Sequence, residues 1–271
     1  MNIDLLKNKH LSKNCIILTC GPSLNNYTKE EIINFSKDKI VICVKDTIYK
    51  FHEICNYFVS NHHRDQNYFT NIKKKDIITV FQSRYNSKVQ PKEKYDIYLP
   101  QEKVNKKQIK EFPKEDFDFN FYTSYYDDLK HFNSSQAYNH WLNHGIYEFR
   151  KCNKQYYKNS ILYNKNFDNY EIDNKIERPY GPGIMYETVF YLCNYMGIKN
   201  IYTIGWDVVH DKKDSHFLKT IPLIKDYDIE AKFVNDNIID MVEYFKKEDN
   251  VNIYVIGESP INSLIPRINI N

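Results

Sequence analysis

One short run holds the residues best suited to meet a phosphorylated ligand. Ile16-Ile17-Leu18-Thr19-Cys20 is apolar and passes directly into Gly21-Pro22-Ser23-Leu24. At the carboxyl end of a buried strand, such a turn is expected to leave backbone N–H groups free for phosphate or ribose oxygens. An ordinary strand-to-helix turn can carry the same letters, because Gly-Pro is common punctuation. Neither G-x-G-x-x-G nor G-x-x-x-x-G-K-[ST] occurs, which argues against ordinary dinucleotide binders and P-loop NTPases.

A second set of candidates lies far along the chain. Tyr180-Gly181-Pro182-Gly183 opens a helical pattern, so Gly181 or Gly183 could bring backbone close to a phosphate at the positive helix end. Gly205-Trp206-Asp207 follows the apolar run Ile201–Ile204. That places Asp207 where α/β sheets hold ligands, although Asp is also a frequent turn former. Two more strand ends carry polar side chains, at Lys45-Asp46 and at Ser60-Asn61-His62-His63. His210 and His216 follow Asp207 in a polar stretch. An imidazole can move a proton near neutral pH, and a loop histidine can equally have no such duty.

Metal ligation has weaker letters behind it. His140 and His144 stand four apart on an expected helix, but no further ligand accompanies them, and a packed helix explains the pair. Asp116-Phe117-Asp118 and Asp226-Tyr227-Asp228 match D-x-D, yet neither follows a strand-like run. No metal site is assigned, although Mg²⁺ can draw its oxygens from substrate and water.

The elements that must position these residues show in the hydrophobic pattern. Strands are expected at Cys15–Thr19, Ile40–Val44, Tyr57–Ser60 and Ile77–Phe81, with helices at Lys29–Phe35 and Thr47–Ile54 between them. The alternation resumes with a helix Ile184–Met196, a strand Ile201–Ile204, a helix Ile238–Lys247 and a strand Ile253–Ile256. This is the pattern of an α/β, Rossmann-like, mostly parallel sheet flanked by helices. Residues 1–99 and 176–271 form its two halves. The stretch 100–175, rich in Tyr, Phe, Asn and Asp, reads as a helical insertion, with short helices at Asp127-Asp128-Leu129 and from Ala137 to a C-cap at Gly145.

Composition bounds the reading without directing it. The 271 residues are 42% hydrophobic and 27% charged, which suits a globular protein. The net charge of +3 is dispersed, and Lys73-Lys74-Lys75 is too short for a nucleic-acid footprint. The six cysteines show no CxxC pair and read as reduced core or rim thiols. Met1 to Lys13 lacks a signal-peptide apolar run, and no transmembrane segment is expected, so a cytoplasmic location is anticipated. Monomer and homo-oligomer are both compatible with the sequence.

Three segments carry a resemblance. Gly21-Pro22-Ser23-Leu24 after its strand, then Gly183-Ile184-Met185 leading to Tyr195-Met196-Gly197-Ile198-Lys199-Asn200-Ile201-Tyr202-Thr203-Ile204-Gly205-Trp206-Asp207, then Val251–Val255 with Ser259-Pro260-Ile261-Asn262-Ser263-Leu264 occur in that order. Together they resemble bacterial sialyltransferases of the Campylobacter type and the motility-accessory-factor-like proteins. Phe117 to Arg150 resembles a short helical module found beside glycosyltransferases in some large viruses and bacteria, with Phe149 in place of its usual Gly.

The resemblance implies a glycosyltransferase that moves a sugar, sialic-acid-like sugars included, from a CMP- or UDP-linked donor to a glycan acceptor. It further implies inversion, no metal and no cofactor beyond the nucleotide-sugar substrate. It places Gly21, Pro22, Ser23, Asp46, Ser60, Asn61, Gly181, Gly183, Gly205 and Asp207 around the nucleotide. Of the asparagines that the family uses at the second and third strand ends, only Asn61 keeps its type. The family's two phosphate-stabilising tyrosines fall at Val209 and about Ser215, and its histidine base falls in the His-free stretch Lys232 to Val234. His216 is then the candidate base, or His210 or His216 assists the leaving phosphate. Two other readings stand beside this one: an ATP- and Mg²⁺-dependent transferase similar to pterin diphosphokinases, and a non-catalytic glycan- or partner-binding protein on the same fold.

Overall fold

The computed structural model describes residues 3–61, 76–82, 95–99, 114–145, 150, 152–153, 184–207, 238–239, 242–243, 245–247, 249–261 and 263–270. Eight strands form one sheet: β1 Asn14–Leu18, β2 Ile40–Val44, β3 Tyr57–Ser60, β4 Ile78–Gln82, β5 Ile97–Leu99, β6 Asn200–Ile204, β7 Asn252–Ile256 and β8 Arg267–Ile268. Their order is β5-β4-β3-β2-β1-β6-β7-β8, and every neighbouring pair is parallel. The expected α/β parallel sheet is therefore present. Strands from 14–99 fill one side, strands from 200–268 fill the other, and both join at β1.

Continuous apolar runs suit strands that are covered on both faces. Successive side chains alternate, so Cys15 and Ile17 enter one core while Ile16 and Leu18 enter the other. Helix α1 (Lys29–Ser36) and the short helix α2 (Ile48–Phe51) pack on the second face through Ile32, Ile48 and Phe51. The helical stretch running from Ile184 to Tyr195 packs on the first face, joined by the 3₁₀ turn Ile3–Leu6 and the helical residues among 238–247. The covering helices change faces on either side of β1, which makes the carboxyl ends of β1 and β6 the switch point of the sheet, the place where such sheets hold ligands.

Local chemistry fixes several boundaries. Thr28 and Glu31 form a reciprocal capping box that starts α1. The helix expected over Thr47–Ile54 runs only from Ile48 to Phe51: the 3₁₀ turn Lys45–Thr47, entered at a left-handed Lys45 (φ 54°), takes its first residue, and a turn in which Ile54 N–H donates to the Phe51 carbonyl replaces its end. There the buried Thr47 hydroxyl donates to the carbonyls of Leu18 and Val44, tying the ends of β1 and β2. At the other end of the strands, Asn14, Asn200 and Asn252 stand in register and pass amide hydrogen bonds from strand to strand.

Within 114–153 the aromatic segment forms a helix, Phe119–Tyr125, which the hydrophobic pattern had not distinguished. A second helix, Ser134–His140, continues as one π turn, Trp141–Gly145. Tyr122, Tyr126, Leu129, Ala137, Trp141 and Cys152 make a separate small core. Gly145 does not have the positive φ expected of a C-cap glycine; it is small because the Tyr122 hydroxyl lies where a Cβ would be. All six cysteines are buried and none is in a disulfide, with the Cys15 and Cys193 sulfurs 3.7 Å apart. Among the described residues, no helix is long and apolar enough to cross a membrane.

Candidate functional site

Three strand-end loops meet over the switch point. The loop after β1 continues into a 3₁₀ turn, Pro22–Asn26, with Gly21 before it at φ −69° and ψ 157°. Gly21 N–H donates to the Gly205 carbonyl at 2.7 Å, and Thr19 N–H donates to Ile204 at 2.9 Å, so the β1–β6 pairing extends beyond both strands. Both glycines are required by this approach. A Cβ on Gly21 would collide with the Gly205 carbonyl and the Asp207 carboxylate, and one on Gly205, at φ +76°, would strike the Thr19 carbonyl.

Asp207 closes the contact. Its carboxylate accepts the Ser23 backbone N–H at 2.6 Å and the Ser23 hydroxyl at 2.5 Å, and the residue is only 1% exposed. Asp207 thus caps the β1 loop and not its own turn. This changes the expectation for Gly21-Pro22-Ser23-Leu24. Gly21 N–H goes to Gly205, Ser23 N–H to Asp207 and Leu24 N–H to Gly21, while Pro22 has none. The turn does not offer free N–H groups, because the protein's own carboxylate and carbonyls occupy them.

The other strand ends lie on the β2–β3 side. Asp46 is half-buried in the 3₁₀ turn that follows β2. Ser60 is fully buried as the last residue of β3. Asn61, 4% exposed, keeps its Oδ1 without a hydrogen-bond partner. A buried acceptor left unpaired costs about 1–3 kcal/mol, so a ligand donor that met this oxygen would be favoured.

On the β7–β8 side lies a cavity of about 600 Å³, bounded by Pro22, Ser23 and Asp207 and by Glu258, Ser259 and Arg267. Gly257 leaves β7 at φ +68°, and the Ser259 hydroxyl donates to the Trp206 carbonyl at 3.0 Å. The Arg267 guanidinium donates to the carbonyls of Gly257, Ser259 and Ile261 at 2.8–3.1 Å. Glu258 and Arg267 were not singled out from the sequence. The only signal near them was the Ser259–Leu264 segment of the resemblance, which carries no charged residue.

Gly181, Gly183, His62, His63, His210 and His216 lie outside the described residues, as do Asp226 and Asp228. Within 114–153, His140 Nδ1 meets the Tyr122 hydroxyl at 3.0 Å and the ring packs edge-on to Phe132, which fits the packed-helix reading. Asp118 of the first D-x-D accepts the Phe121 N–H at 2.9 Å as a helix cap. Among the described residues, no group of three or more His, Cys, Asp or Glu is gathered as metal ligands.

No family model matches the chain, and no curated protein matches it. Among solved structures it is similar to the sialyltransferase CstII from Campylobacter jejuni in complex with cytidine-5'-monophosphate, at 17% identity over 95% of this chain and 85% of that one, with a TM-score of 0.40. It is similar to the same enzyme with CMP-3FNeuAc at 17% identity, over 90% and 80%, with a TM-score of 0.35. A point variant of that enzyme in complex with CMP gives 14% identity over 94% and 86%, with a TM-score of 0.37. At these values the fold of the chain rests on its own sheet.

Proposed function

We propose that the chain is a glycosyltransferase that binds a nucleotide-sugar at the β1–β2–β3 strand ends and passes the sugar, with inversion and without a metal, to a glycan acceptor. The observation that carries this reading is the unpartnered, buried Asn61 Oδ1 at the carboxyl end of β3. The exocyclic amine of cytosine, or an N–H or ribose hydroxyl of either nucleotide, supplies the missing donor. The resemblance puts a nucleotide contact at this same asparagine, and the β1–β2–β3 strand ends adjoin the β1–β6 switch point, where this topology holds ligands. Sialic-acid-like sugars fall within the donor class; inversion and metal independence rest on the resemblance alone.

Because the Gly21–Leu24 N–H groups are already satisfied, Gly21 and Ser23 serve as framework, as does the fully buried Ser60, and Asp46 and Asn61 carry the nucleotide-facing chemistry. Thermal-shift titration with CMP, UDP, GDP and ATP, with and without Mg²⁺, tests the reading. A ligand at 100 times its Kd stabilises the native state by about 2.7 kcal/mol. Stabilisation by CMP or UDP without Mg²⁺ is expected. Stabilisation only by ATP with Mg²⁺ would favour a diphosphokinase, and none at all would favour a non-catalytic binding protein.

A further inference from the structure

We infer that the cavity between the β1, β6 and β7 loops is the acceptor subsite and that Glu258 takes the proton from the acceptor hydroxyl, an inference that rests on the glycosyltransferase reading above. Two carboxylates border this cavity. Asp207 is buried with both oxygens held by Ser23, so it is not available to a substrate. Glu258 is exposed, and among the described residues it forms no hydrogen bond or ion pair. It is the cavity's available proton acceptor.

The loop that bears Glu258 is held on both sides. Arg267 binds the carbonyls of Gly257 and Ser259, the residues immediately before and after it. Ser259 is also fastened to Trp206. Catalytic side chains need this kind of fixed support, since small displacements of a base cost large factors in rate. Of the remaining lining, the Asn26 amide offers both a donor and an acceptor to a sugar's hydroxyls, while the Ser23 and Ser259 hydroxyls already donate to Asp207 and Trp206. Arg267 is therefore a positioning residue. The family's histidine base has no counterpart at the matching stretch, Lys232 to Val234, and His216 lies outside the described residues; Glu258 takes the duty in their place.

In the transfer step the acceptor O–H proton passes to a Glu258 carboxylate oxygen as the acceptor oxygen bonds to the anomeric carbon. The bond from that carbon to the donor phosphate oxygen breaks, and its electron pair leaves on the nucleotide phosphate.

The test uses the full chain, CMP and UDP as binding probes, and CMP-N-acetylneuraminate, UDP-glucose and UDP-galactose as donors to lactose. Glu258→Gln is expected to lower kcat by about 10²- to 10⁴-fold, to abolish the acidic limb of the pH profile, and to leave melting temperature and nucleotide binding unchanged. Glu258→Asp should retain an intermediate rate with its acidic limb intact. Near-wild-type turnover in Glu258→Gln would overturn the inference, as would a change confined to KM, or a loss in Glu258→Gln explained by a collapsed melting temperature with no effect in Glu258→Asp. A wild type that binds CMP or UDP but transfers from none of these donors also overturns it. A wild type that binds neither nucleotide overturns the parent reading instead.

Discussion

Asp207 holds Ser23 by two hydrogen bonds, from the backbone N–H and from the hydroxyl, across 184 positions of the chain. Asp207→Ala leaves both donors buried without an acceptor, and a loss of about 1–3 kcal/mol is expected in urea unfolding. Asp207→Asn, which keeps one acceptor oxygen, should lose less. A change within the roughly 0.5 kcal/mol typical of surface substitutions would show the pair to be idle.

Gly205→Ala should be more damaging. Its φ of +76° costs a side chain about 1–3 kcal/mol, and the Cβ also meets the Thr19 carbonyl. Gly21→Ala, at φ −69°, suffers from the collision alone. Melting temperatures are expected to fall in the order wild type, Asp207→Asn, Gly205→Ala, and a Gly205→Ala melting point equal to wild type would contradict the packing described.

Asn61 should separate stability from binding. Removing an unpaired buried acceptor relieves its desolvation penalty, so Asn61→Ala is expected to melt at or above the wild-type temperature despite the small cavity it leaves. Its thermal shift with CMP or UDP should shrink. A destabilised Asn61→Ala that still binds nucleotide normally would assign this residue to packing.

His10 supplies a pH signature. Its ring donates to or accepts from the Tyr57 hydroxyl at 2.7 Å, and burial, aided by Lys9 and Lys13, holds its pKa below the ordinary value. Between the lowered native value and the ordinary one, the unfolded chain binds a proton that the native state does not, so stability rises with pH through that window. As pH falls from neutral, this contribution is lost and then levels off once the native ring is protonated. Melting temperatures of wild type and His10→Gln between about pH 5 and 8 should diverge below the ordinary histidine pKa, with the wild type falling more steeply. Parallel curves would remove His10 as the cause.

Much of the sheet is legible because β1, β2, β3, β6 and β7 are buried on both faces and so read as apolar runs. β5 and β8 are not legible: Ile97–Leu99 and Arg267–Ile268 are too short to make a run and take their conformation from the neighbouring strand. The helix Phe119–Tyr125 is hidden because its aromatic residues serve helix and strand equally. At the site, Gly21, Gly205 and Asp207 stand out as turn residues after strands. Their mutual contact does not, since nothing local joins positions so far apart. Glu258 and Arg267 carry no motif at all; the pairing of β7 with β8 brings them together.

The place of β1 at the centre of the sheet also governs how the chain is made. Its β2 side can pair early in synthesis, but its other edge waits for β6, with Asn14 opposite Asn200. Until β6 has left the ribosome, the growing chain carries an open apolar strand edge of the kind that recruits chaperones or aggregates. The Gly21–Gly205 and Ser23–Asp207 contacts therefore close late, and the switch point exists only once β6 and the loop after it have emerged.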